Sequence, residues 1–237
     1  MNCIPTKVLK CTAHILSPII CHLINASVTK GIFPDCLKLA RVVPLYKCGD
    51  SFNISNYRPI SVLNIFSKLI EKHAFKYLHS YVERNGILDD CQYGFRHGRG
   101  TNQAILRHVN YIYDKLDENQ LVFSMYMDFR KAFDSVDHKI LLDKLNFYGV
   151  RGIPFLWFKS YLGDRKQFVN VNGVNSDTIL LTHSVPQGSN LGPLLFLIYI
   201  NDLPNCSNFF KYTLFADDCT ISCPVQRGNL NLSLIHI

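Results

Sequence analysis

Phe210-Lys211-Tyr212-Thr213-Leu214-Phe215-Ala216-Asp217-Asp218-Cys219-Thr220-Ile221-Ser222 is the stretch on which the fold of this chain turns. Two short apolar, β-prone runs, 210–215 and 219–222, flank Asp217-Asp218, so the segment reads as a hairpin whose turn is the aspartate pair. Adjacent carboxylates at a hairpin tip repel each other and need cations. A third carboxylate, Asp128, closes the apolar run 121–127. Three carboxylates gathered from two strand ends can hold a pair of divalent metals, and metal pairs perform phosphoryl transfer.

Outward from the hairpin, the remaining elements follow from periodicity and punctuation. The continuous apolar run 121–127 predicts a strand buried on both faces. Helical spacing predicts helices over 12–29 (interrupted by Pro18 and stopped by Gly31), 61–81, 101–116 with Thr101 as cap, 139–148, 154–161 and 189–203. In the last of these Pro193 sits in the first turn, where its missing N–H costs little. Residues 40–46 read as a strand. The clearest hairpin signal is Asn172-Gly173 with Asn175, between 167–171 and 178–181. Strands and helices are intermixed, with no repeat or low-complexity tract, which predicts an α+β chain.

The 237 residues are 48% hydrophobic, enough for one large domain or two intimate subdomains. A net charge of +7 suits a polyanionic partner such as nucleic acid, and equally a mildly basic soluble protein. Nine cysteines include no C-x-x-C pair, which argues against a zinc module and for buried, reduced thiols in an intracellular protein. The apolar run 194–200 is too short to span a bilayer, so no membrane role is expected.

Four further constellations bear on chemistry. Asp128-Phe129-Arg130-Lys131-Ala132-Phe133-Asp134 can aim a carboxylate from a strand end into a cleft, or it is a strand-to-helix corner with capping by Asp134 and Asp137. In Val185-Pro186-Gln187-Gly188-Ser189-Asn190-Leu191-Gly192-Pro193, the glycines let backbone approach a ligand and Gln187 can hydrogen-bond a base or sugar; a tight loop ahead of a buried helix reads the same way. Lys47 and Arg58 lie near a turn and can neutralise a triphosphate, or simply solvate. Residues 92–101 interleave Arg96 and Arg99 with glycines and aromatics, which suits a nucleic-acid backbone or a flexible basic loop.

Taken in order, segments 43–50, 56–64, 92–101, 128–138, 185–204 and 215–218 resemble the reverse transcriptase of non-LTR, LINE-like retrotransposons, over roughly 4–222. The resemblance implies an α+β right-hand polymerase: fingers mainly over 30–120, a palm mainly over 121–222 with an antiparallel sheet flanked by helices, and the thumb absent. It implies RNA-directed DNA polymerisation, with dNTP, an RNA template and a DNA primer as partners. Two magnesium ions (manganese as a possible substitute) would be held by Asp128, Asp217 and Asp218, with the Phe129 carbonyl assisting.

By the same resemblance, Lys47 and Arg58 grip the triphosphate and Gln187 and Gly188 lie against the nucleotide. Phe133 blocks a ribose 2′-OH (a core phenylalanine is the plainer reading), and Arg96 and Arg99 hold the template. Nuclear and cytoplasmic ribonucleoprotein locations are implied as well. Departures from the family pattern are Leu37, Gly100, Ser184 and Asn190, none of them a metal ligand. Residues 223–237 read as a non-native or disordered tail. The alternative to a polymerase is a catalytically inert nucleic-acid-binding remnant of a decayed element.

Overall fold

The computed structural model describes residues 5–226. In chain order these form α1 (Thr6–Cys11), α2 (Ala13–Lys30), β1 (Leu39–Tyr46), β2 (Tyr57–Val62), α3 (Ile65–Arg84) and α4 (Thr101–Asp117). There follow β3 (Gln120–Asp128), α5 (His138–Phe147), α6 (Gly152–Leu162), β4 (Lys166–Val171), β5 (Val174–Asn175) and β6 (Ile179–Leu180). The chain closes with α7 (Gly192–Ile200), β7 (Lys211–Phe215) and β8 (Asp218–Gln226). The fold is mixed α/β with sheets flanked by helices. Among the described residues no helix is long and apolar enough to cross a membrane.

Two compact units are each assembled from two chain segments: 5–85 with 133–199, and 86–132 with 200–226. The first unit carries a five-stranded sheet in which β1 pairs antiparallel with β2 and parallel with β4, while β5 and β6 both pair with β4. Its core gathers Phe33, Leu141, Leu145, Trp157, Tyr161 and Leu195, all 3% exposed or less. Phe33 meets Trp157 and Tyr161 edge-on at 5.6 and 5.1 Å, geometry that aromatic quadrupoles favour. The buried Trp157 indole N–H donates to Ser27 Oγ at 3.0 Å.

The second unit is an antiparallel sheet in the order β3-β8-β7, with α4 packed on β3 and β7. Cys91, Tyr212, Leu214 and Cys219 are buried together at its centre. On one face Ser124 and Ser222 hydroxyls meet at 3.0 Å, and Ser222 reaches His108 on α4 at 3.4 Å, so polar groups under the helix are partnered.

Local chemistry sets the boundaries. Asn64 caps α3 by accepting from Phe66 N–H at 2.9 Å, and Asp137 caps α5 by accepting from Ile140 N–H at 2.9 Å. The expected helix over 61–81 therefore starts later, because Tyr57–Val62 pairs along its full length with β1. Thr101 is the first helical residue of α4, and Gly100 holds the cap position. The last apolar helix begins at Gly192, since 186–190 form a loop. Asn172 and Gly173, at φ +50 and +86, turn the chain as expected, but directly into β5, and of the expected second strand 178–181 only β6 pairs with β4.

Three expectations are corrected in the second unit. β3 is not buried on both faces: it lies at one end of the strand order, and Phe123 and Tyr126 are 40% and 73% exposed. The hairpin turns on Ala216-Asp217, while Asp218 opens β8 opposite Phe215. β8 runs on through Cys223-Pro224-Val225-Gln226, paired with β3, so the first four residues of the expected tail are strand; the rest lies outside the described residues. None of the described cysteines is in a disulfide. Cys91, Cys219 and Cys223 are buried as expected, whereas Cys11, Cys21, Cys36, Cys48 and Cys206 are exposed.

Candidate active site

The carboxylates of the opening motif occupy one end of the second unit's sheet. β3 and β8 stay in register from Gln120↔Gln226 to Asp128↔Asp218, so their ladder ends on two facing carboxylates. Asp217 is the next residue back, in the turn, and is half-buried, whereas Asp128 and Asp218 are exposed. Strand termini deliver acids to a rim because the ladder satisfies the backbone up to that point and leaves the side chains beyond it free to face water. Phe129 packs partly buried on the Cys91–Tyr212–Leu214–Cys219 cluster and anchors the outgoing chain. Burial pushes the Cys219 thiol up to about 11, which keeps it neutral behind Asp218.

What holds the turn is a residue to which the sequence assigned no role. Gln92 is 2% exposed. Its Oε1 accepts from the N–H of Ala216 at 2.9 Å and from that of Gly94 at 2.8 Å, and its Nε2 reaches Ala216 O at 3.4 Å. Leu214 N–H donates to Cys91 O and Tyr93 N–H to Leu214 O, both at 2.8 Å, so 91–93 runs as a short parallel partner of β7. Gly94 lies so close that a Cβ there would stand 2.1 Å from Ala216 N. Ala216 itself sits at φ +56, a conformation that a non-glycine residue keeps only where neighbours over-determine it.

Arg96 and Arg99 brace the same segment. Arg96 donates to Asp89 O at 2.9 Å. Arg99 donates to Asp90 O and to Asp90 Oδ1, both at 2.6 Å, and lies over the Tyr93 ring at 5.5 Å. The Arg99 guanidinium holds the Asp90 carboxyl below the usual carboxylate range. Arg107 adds contacts to Asp90 O and the Tyr93 hydroxyl. These arginines thus have structural partners in the loop that wraps the aspartate turn.

The other sequence-derived candidates belong to the first unit. Lys47 follows β1 and Arg58 sits on β2 opposite Leu45, both exposed on one hairpin. Gln187 and Gly188 lie in the loop before α7. Ser61 N–H donates to Gln187 O at 2.8 Å, and Gly188, at φ +114, has Ser61 O where a Cβ would come within 2.7 Å. Only glycine fits there without moving backbone. Phe133 is half-buried and stacks on Phe196 of α7 at 4.7 Å, so its ring has a packing role in the unit. Its carbonyl accepts from Val185 N–H at 2.9 Å and ties the loop's start. Ser184, one of the departures, is at φ +93, a left-handed conformation that favours glycine. Asp134 lies in a 3-10 turn (Ala132–Ser135) rather than at the start of α5.

Among the described residues no group of three His, Cys, Asp or Glu side chains stands ready as a metal cluster. Asp128 and Asp218 are ladder partners and Asp217 adjoins them, without closing into a complete ligand set. The donors suit magnesium all the same: it takes hard oxygens and is commonly bound by one or two carboxylates plus substrate phosphates, not by an all-protein cage.

Residues 47–234 match the family model for reverse transcriptase (RNA-dependent DNA polymerase). The chain belongs to the reverse transcriptase family. Within it, this reverse transcriptase domain is of the non-LTR retrotransposon type. It is 34% identical over 193 residues, 78% of the chain, to the probable RNA-directed DNA polymerase from transposon BS of Drosophila melanogaster. It is also 34% identical over 206 residues, 84% of the chain, to that of transposon X-element from the same fly. The reverse transcriptase chain spans about a fifth of the length of these relatives: 20% and 22%. The same fold appears in telomerase from Candida tropicalis truncated from the C-terminal domain, at TM-score 0.58 and 13% identity, covering 81% of this chain and 45% of that one. Telomerase from Candida albicans gives TM-score 0.59 at 11% identity, covering 81% and 39%.

Proposed function

We propose that this reverse transcriptase domain carries the polymerising centre of a non-LTR retrotransposon, transferring a nucleotide from a dNTP to a primer 3′-OH on an RNA template. The observation that carries the reading is the β3–β8 ladder ending on Asp128 opposite Asp218, with Asp217 in a turn gripped by Gln92. In right-hand terms the β1–β2 hairpin belongs to the fingers and the β3-β8-β7 sheet to the palm.

Asp128, Asp217 and Asp218, with the Phe129 carbonyl, would hold two magnesium ions, whose charge, when bound, activates the attacking oxygen and stabilises the leaving pyrophosphate. The chain's own residues supply position and charge, which is most of what phosphoryl transfer asks of a protein. Lys47 and Arg58 neutralise the triphosphate from one hairpin. Gln187 and the bare backbone of Gly188 lie along the nucleotide. The Phe133 ring, set by its stack on Phe196, excludes a ribose 2′-OH. Arg96 and Arg99 stiffen the loop that meets the template while presenting charge to its phosphates.

Primer extension on an RNA template with dNTPs and magnesium tests the reading. Incorporation that is lost in Asp217→Ala supports it, and incorporation that survives Asp217→Ala overturns it. Salt-dependent nucleic-acid binding with no incorporation supports the inert-remnant alternative instead. Phe133→Ala should raise ribonucleotide use by on the order of 10-fold relative to deoxynucleotides, and unchanged discrimination removes the gate assignment.

A further inference from the structure

Glu71 lies on α3 inside the first unit and is fully buried, yet none of the chemistry above uses it. Its Oε1 accepts from Ser67 Oγ at 3.1 Å and from Tyr161 OH at 3.2 Å, and its Oε2 accepts from the backbone N–H of Asn190 at 2.9 Å. The Asn190 side chain donates to Lys68 O at 2.8 Å, so one residue of the loop is tied twice to α3. At the loop's other end Gln187 O takes the Ser61 N–H. Arg165 is fully buried as well. Its Nη1 donates to Tyr161 O at 3.2 Å and its guanidinium stands 4.8 Å from the Tyr161 ring centre, while its Nε and Nη2 have no hydrogen-bond partner among the described residues.

A carboxylate and a guanidinium in a core are expensive, and apolar residues of like volume would pack there at less cost. Their placement gains meaning from what the carboxylate touches. Of its three donors, one is the backbone of the loop that carries Gln187 and Gly188, two residues ahead of the α7 N-terminus, where negative charge also favours the helix dipole.

We propose that Glu71 is a positioning residue: from the core it holds the Gln187–Asn190 loop, and the start of α7, in the shape that receives the nucleotide. This rests on the assignment of that loop to the incoming dNTP. Burial pushes the Glu71 carboxyl above its usual range, and the Asn190 N–H and the Arg165 charge draw it back toward the ionised form that can accept from three donors. Tyr161 shares the task, since its hydroxyl interacts with both Glu71 and the Ser189 side chain.

The test uses the full chain, with hydrogen exchange across residues 186–192 and the KM for dTTP on oligo(dT)-primed poly(rA). Glu71→Ala should lower protection at Asn190 and raise KM, each by about 10- to 100-fold, the range a hydrogen bond to a charged group covers, with kcat moved far less. Glu71→Gln can turn its oxygen to Asn190 N–H and its amide to the two hydroxyls, which reverse direction freely, and should stay within about 3-fold of the parent.

Tyr161→Phe keeps the ring, removes one donor, and should fall between the two, which keeps the proposal testable where Glu71→Ala does not fold. Unchanged Asn190 protection in a folded Glu71→Ala, or a Tyr161→Phe and Glu71→Gln pair that reverses the expected order, overturns the proposal. Lost protection with unchanged dTTP KM retains Glu71 as the loop's anchor and overturns the nucleotide assignment beneath it.

Discussion

Replacing Gly94 by alanine should disable the aspartate turn from outside it. A Cβ on residue 94 would lie 2.1 Å from Ala216 N, 2.8 Å from its Cα and 2.9 Å from its Cβ. Non-bonded heavy atoms settle at about 3.5 Å, so the two backbones must part by roughly 1.4 Å. No side chain can rotate away, because two of the three opposing atoms are main chain and the third is a Cβ. Overpacking of this kind costs about 1–3 kcal/mol. Gln92 Oε1 bridges the N–H groups of residues 94 and 216, and parting them breaks one of the two bonds, adding about 1 kcal/mol.

The expected loss is therefore about 2–4 kcal/mol in urea unfolding followed by circular dichroism. A displacement near 1 Å at Asp217 should also lower primer extension by on the order of 100-fold even where the protein remains folded. Gly100→Ser is the matched control, since Gly100 meets only the flexible end of Gln103 and occupies the α4 cap: a few tenths of a kcal/mol of stabilisation is expected. A Gly94→Ala protein within about 0.5 kcal/mol of the parent and equally active would refute the contact between 94 and 216 as the restraint on the turn.

Other perturbations probe separate links. Asp128→Asn relieves a like-charge pair facing across β3 and β8, so in EDTA it should unfold up to about 1 kcal/mol later than the parent, while magnesium should raise the parent's Tm and leave the variant's unchanged. Burial lowers the His138 pKa below 6.5, its Nε2–H donating to Ser184 O at 2.7 Å, so the unfolded chain takes up the proton first. Its stabilisation is then present above the ordinary histidine range and lost as pH falls toward the folded value, and His138→Gln should flatten the urea-midpoint slope on the acid side of neutrality. Ser184→Gly removes a side chain held at φ +93 and should gain up to about 1 kcal/mol in the same unfolding assay; a loss there would show that the serine is not strained.

Much of the layout was readable along the chain. Apolar period and punctuation marked α2, β1, α4, α5 and α6 to within a few residues, because each has a cap or stop that acts locally, such as Asp137 or Gly31. The strand Tyr57–Val62 was not readable: its short run with Pro59 sits ahead of a helical pattern, and only pairing with β1 makes it a strand. The burial of 121–127 was misjudged for the same reason, since an apolar run does not say whether its strand lies at the end or the middle of a sheet.

By itself the sequence determined the chemistry on offer: three carboxylates, two cations near a turn, a glycine loop and the family they spell, because residue identity and order survive without coordinates. Tertiary structure alone decided which groups restrain them. Gln92 reads as one more polar residue in a basic loop until it is seen gripping a turn more than a hundred positions away, at Ala216. Glu71 reads as a helix-surface charge until α3 turns it inward onto Asn190. Contacts between residues so far apart in the chain depend on how the elements pack, and no local pattern of spacing or propensity records that.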